Sequence, residues 1–164
     1  MMPVKKKYRP GPLGALVDEY ERAAADLERV LASATDEQYQ RIVDPDTADE
    51  HCRSIQSIMR HVVRAGYGYV NSIRAQHFHM ADTAPEPADL GRQAAIQALR
   101  KVVEYTEETF EGRWHMTDQE VCDTMVTTRW GVTTTMEFLM EHAVVHILRH
   151  RRQIEKFLDP MDSA

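Results

Sequence analysis

Three histidines at helical spacing, His142, His146 and His150, lie within nine residues of one another near the C-terminal end of the 164-residue sequence. Imidazole is a common ligand for divalent metals and titrates close to neutral pH. A helix advances about 100° per residue, so residues four apart sit about 40° apart on its surface. A pair at i and i+4 therefore lets one helix offer two neighbouring ligands to a single ion.

The apolar residues around them say which way they face. Measured from His150, the stripe of Met136, Leu139, Ala143, Ile147, Ile154 and Phe157 centres near roughly +30°. His150 is close to the middle of that stripe, His146 about 70° from its centre and His142 about 110° away, at the boundary. A single inward histidine reads most simply as a core residue. Two inward histidines one turn apart are costlier, because each buried ring needs partners for both nitrogens. A shared metal removes that cost. A third ligand must come from another helix, and His61 is the best candidate, beside the small residues Ser54, Ser57, Ala65 and Gly68. On periodicity alone His61 could equally be a half-exposed boundary histidine. His77 and His79 read as surface residues, and His51 and His115 have no helical partner.

Four segments with helical periodicity must position these groups: about 13–31, 51–79, 90–110 and 135–158. Pro12 suits the first turn of the first helix. Thr47 with Glu50, and Thr134 with Glu137, offer capping boxes for the second and fourth. Pro85 and Pro87 close the second helix and Pro160 the fourth. The pattern is all-α, a single-domain four-helix bundle with long connectors. In the connector 32–50, Tyr39, Ile42 and Val43 should pack somewhere. The segment 112–133 is long for a loop, carries a helical turn near Asp118–Val121, and either lines a pocket or serves packing alone.

The quoted segments resemble a known family. EHAVVHILRHRRQIEKFL, residues 141–158, is similar to the last helix of the DinB/YfiT-like family, marked by a histidine, three residues, then histidine, arginine and, two residues later, glutamine. Here these are His146, His150, Arg151 and Gln153. SIQSIMRHVVRAGYGYV, residues 54–70, looks like the family's second helix, whose histidine matches His61. YRPGPLGALVDEYERAAADL looks like its opening helix. The resemblance implies a four-helix bundle, often a homodimer, with zinc, nickel or iron held by three side chains that map to His61, His146 and His150. It also implies a metal-dependent S-transferase acting with a low-molecular-weight thiol, although many members have no known activity. One departure is Arg152, where the family often has glycine; the wheel turns it to solvent. His142 is an additional histidine, either a partner of the ligands or an alternative ligand.

Three neutral imidazoles leave a divalent ion its full charge and open positions, which suits catalysis better than a closed structural site. Such an ion lowers the pKa of bound water to about 7 or holds a thiol as thiolate. Tyr67, Trp114, Arg129 and Trp130 are candidates for a pocket wall, and Arg151 for a salt bridge. The other reading is a bundle that binds a metal or small ligand without turnover. A di-iron site needs Glu-x-x-His, a zinc protease His-Glu-x-x-His and covalent haem Cys-x-x-Cys-His; none is present.

Composition narrows the rest. A net charge of -6 disfavours nucleic acid and anionic membranes, despite RHRR at 149–152. Lys5, Lys6 and Lys7 are not followed by the apolar run of a secretory signal, and no stretch reaches the length of a membrane span. Cys52 and Cys122 are too few for a disulfide scaffold and read as bystander thiols. A cytoplasmic location is expected.

Overall fold

The computed structural model describes residues 8–83, 88 and 90–159. Lys5–Lys7, Pro85, Pro87 and Pro160 lie outside the described residues. Four long helices make the body: α1 (Gly11–Ser33), α3 (Ile55–Ile73), α4 (Arg92–Phe110) and α6 (Met136–Leu158). Two short helices, α2 (Asp36–Gln40) and α5 (Asp118–Asp123), lie in the connectors. A two-stranded antiparallel hairpin, β1 (Met125–Thr127) and β2 (Thr133–Thr135), leads into α6. α1 packs on α4 and α6, and α3 packs on the same two, so the helices form a square with α1 and α3 on one diagonal.

The core is the apolar stripes turned toward one another: Leu13, Val17, Leu27, Ile58, Leu99 and Met136 are each essentially inaccessible. This is the all-α bundle expected from the periodicity, and the helical turn expected near Asp118–Val121 is α5. Pro12 sits in the first turn of α1, where its missing N–H costs nothing.

Two helix starts differ from expectation. The second long helix begins at Ile55, because Ser54 and Ser57 cap each other's backbone N–H groups and take the place of Thr47 with Glu50. Ahead of it Glu50–Cys52 form a separate 3-10 turn capped by Asp49. At the far end α3 gives way at Arg74–Phe78 to a wider π turn that stops at His79, in the left-handed conformation. For α6 the cap is Thr135, whose hydroxyl accepts from the Phe138 N–H, one residue beyond Thr134.

α3 and α4 approach closely at Gly66. A Cβ there would fall 2.4 Å from Val102 Cγ1 and 2.9 Å from the Tyr20 hydroxyl, whereas one at Gly68 would meet nothing within 4 Å. Replacing a mid-helix glycine gains up to about 1 kcal/mol of helix propensity, but overpacking a core costs about 1–3 kcal/mol. Gly66→Leu should therefore lower the urea midpoint clearly, and Gly68→Ala should leave it unchanged or raise it. Equal responses from the two variants would show that α3 and α4 are not tightly apposed.

Candidate metal centre

The inward faces of α3 and α6 bring His61, His146 and His150 together. One ring nitrogen from each lies within 4.8 Å of the other two. Nε2 of His61 and Nε2 of His146 are 2.9 Å apart, and the His146 and His150 rings are 4.5 Å apart, edge to face. Tyr69, two turns after His61, meets His142 and His146. Contacts that move forward along α3 thus move backward along α6, and the two helices run antiparallel.

Burial sets the protonation. It pushes His61 down to about 4 and His146 to about 3, and protonation of the neighbouring His150 acts in the same direction on both. His150 is lowered for the same first reason, against a hydrogen bond that it donates to Gln153, which raises it. At neutral pH all three rings are uncharged. Two neutral imidazoles meeting through Nε2 can place only one proton between them, and lone pairs left over in a buried site are costly. Gln153 fixes the tautomer of His150. Its Oε1 lies 3.2 Å from His150 Nδ1 and also accepts from Cys52 Sγ at 3.7 Å. An oxygen only accepts, so Nδ1 carries the hydrogen and Nε2 presents a lone pair. Three neutral imidazoles from two helices, one with its tautomer held in this way, could hold a metal ion.

The triad is the floor of an open cavity of about 880 Å³. Arg149, Arg152, Gln153 and Lys156 of α6 form one wall, and Val43, Asp44, Asp49 and Cys52 from the connector before α3 form the other. The connector after α4 is not on this rim. Of the residues considered as pocket wall, Tyr67 lines a different hollow between α3 and α4, and Trp114 packs against the core. Arg129 pairs with Asp82, and Trp130 stands exposed with its ring edge-on to Tyr69. Arg151 turns away to bind Asp26 and Glu155, as expected. Arg152 is exposed, as the wheel implies, yet it borders the cavity.

The other histidines sort by position. His142 lies between Tyr69 and Phe138, with its ring 6.1 Å from that of His146. His77 contacts the Met125 carbonyl, and His79 and His115 are exposed. His51 was not legible as a neighbour of the site, yet it stacks on His61 at 5.2 Å, and its Nδ1 is buried without a hydrogen-bond partner among the described residues. No periodicity marks it, since it comes from a three-residue turn.

Fold and site together define a class: a helical bundle whose third and last helices share a histidine-lined pocket. A family model described as the DinB superfamily matches residues 19–154, and the chain belongs to the DinB superfamily. No curated protein and no solved structure matched. Among the described residues no helix is long and apolar enough to cross a membrane.

The lowered proton affinities have a consequence for the metal-free protein. Unfolding returns His61 and His146 to the ordinary value of 6.5. As pH falls below 6.5, the unfolded chain therefore takes up protons that the folded chain refuses, and stability drops. The contribution is intact above 6.5 and is lost toward about 4. Thermal denaturation of chelator-treated protein at pH 7.5 and pH 5 should show this drop, and His146→Asn, which cannot titrate, should show a smaller one. An identical pH response in the variant would mean that His146 is not buried as a neutral ring.

Proposed function

We propose that this DinB-superfamily protein holds a divalent metal ion through His61, His146 and His150, and that it is a metal-dependent S-transferase using a low-molecular-weight thiol. The observation that carries the proposal is the convergence of three neutral imidazole nitrogens within 4.8 Å at the floor of an open cavity. When bound, such an ion favours the thiolate form of a thiol at neutral pH. The transfer itself forms a bond from sulfur to an electrophilic carbon; the thiol proton is lost, and the leaving group departs with its electron pair.

The chain's own residues supply position and exclusion. His61 comes from one helix and His146 with His150 from another, so the donors stay fixed relative to each other as long as α3 and α6 stay packed. Gln153 keeps His150 in the tautomer whose Nε2 faces the site. The α2–α3 connector encloses the other side, and the volume of about 880 Å³ leaves space for a second reactant beside the thiol. A homodimer and a cytoplasmic location belong to the same proposal. Exposed Phe138, Val145, Trp130 and Val132 favour a partner surface, and two free cysteines favour a reducing compartment.

Protein purified without a nickel column should contain stoichiometric zinc, nickel or iron by elemental analysis. His146→Ala and His150→Ala should each lose most of it while keeping the helical circular dichroism of the parent. Metal-dependent consumption of a thiol with a chlorinated aromatic electrophile, abolished in His150→Ala, is the expected activity. Full metal content with no turnover across a thiol panel would leave a non-catalytic binding protein. Metal-free protein whose stability is unchanged by His146→Ala would remove the metal site itself.

A further inference from the structure

The cavity above the histidines carries an unbalanced set of charges. Arg149, Arg152 and Lys156 stand on its α6 wall, and their i, i+3 and i+7 spacing places them within about 60° on the helix surface. All three are exposed, and among the described residues none has a carboxylate at ion-pair distance. Elsewhere on this chain of net charge -6, Arg22, Arg92, Arg100, Arg129 and Arg151 each meet a carboxylate, while Arg41 and Arg113 meet backbone carbonyls. Cations one turn apart repel. The helix dipole favours a positive charge only in the last turn, which accounts for Lys156 but not for Arg149, more than two turns from the helix end.

Resting on the thiol reading above, we propose that this wall is an anion subsite and that the thiol taken by the cavity carries a carboxylate. The carboxylate is held by Arg149, Arg152 and Lys156 while the sulfur reaches the histidines. Guanidinium groups meet a carboxylate through two parallel hydrogen bonds, so arginine at two of the three positions suits a planar anion. The opposite wall orients the ligand. Asp44 and Asp49 line it and repel a carboxylate placed on that side; Asp49 is itself engaged by the His51 N–H at 2.9 Å. The field across the cavity therefore has a direction, negative at the connector and positive at α6.

Calorimetric titration of zinc-loaded protein with 3-mercaptopropionate, 2-mercaptoethanol, succinate and inorganic phosphate tests the subsite by binding, not by turnover. 3-Mercaptopropionate should bind at least about tenfold more tightly than the neutral thiol. The preference should disappear in R149Q/R152Q/K156Q, whose exposed positions tolerate glutamine. It should persist in R22Q, which changes the net charge by one without touching the cavity. Equal affinity for the two thiols in the parent overturns the carboxylate subsite and leaves the thiol reading standing. Succinate binding with no binding of either thiol overturns the thiol reading, and this proposal with it. Displacement of 3-mercaptopropionate by phosphate at equal concentration would show a general anion site and overturn the selection of carboxylate.

Discussion

Two imidazole rings, His61 and His146, meet through their Nε2 atoms in a largely buried position between α3 and α6. Burying a polar group without full hydrogen bonding costs roughly 1–3 kcal/mol, so this contact is maintained only where the rest of the fold holds the two helices in register. The square arrangement does so. α6 packs on α1, α3 packs on α4, and α1 and α4 pack on each other, so neither helix of the pair can slide without disturbing the packing on its other flank. The close approach at Gly66 fixes the height of α3 against α4. Antiparallel pairing then carries that register along the site, from His150 and His61 at the cavity to Tyr69 and His142 deeper in.

The same register explains why the site opens where it does. His150 comes two turns before the end of α6, and the residues after it run out past the packed core. On the facing side, α3 begins only at Ile55, so the chain before it is a loop rather than helix. A helix end opposite a loop leaves a hollow, and the loop's 3-10 turn sets His51 against His61 and Asp49 on the rim. Gln153 links the two sides by accepting from both His150 and Cys52. Thus the short turn Glu50–Cys52, which contributes nothing to the hydrophobic core, shapes the environment of the histidines more than either long connector strand does.

Much of this was legible in the sequence because periodicity reports the angle of a residue about its helix axis. The four long helices, the inward turn of His146 and His150, and the outward turn of Arg152 all follow from angles. Periodicity does not report distance along the axis from the bundle end. His150 ranks as the most inward histidine by angle, yet it is more exposed than His146, which is only 9% accessible, because the cavity opens at its level. The start of α3 lies later than the capping signal at Thr47 for a related reason. Two capping signals stood within eight residues, and the one nearer the continuous apolar stripe, at Ser54, prevailed. His51 and the connector wall could not be read at all, since loop residues take their positions from tertiary contacts and have no repeat.

Membership of a superfamily defined by its fold leaves the chemistry to the site. Three imidazoles alone discriminate poorly between small ligands, because they offer the same neutral donors to any ion and leave open positions available to any thiol or water. Discrimination has to come from groups that touch the remainder of the ligand. Here those groups lie on the rim, where α6 presents cations and the α2–α3 connector presents carboxylates. The rim residues are exposed and contribute little to packing, so they can change without loss of the bundle. The histidines and the rim are therefore separate sets: the first is tied to the α3–α6 register, and the second stands on the exposed face of α6 and on the connector before α3.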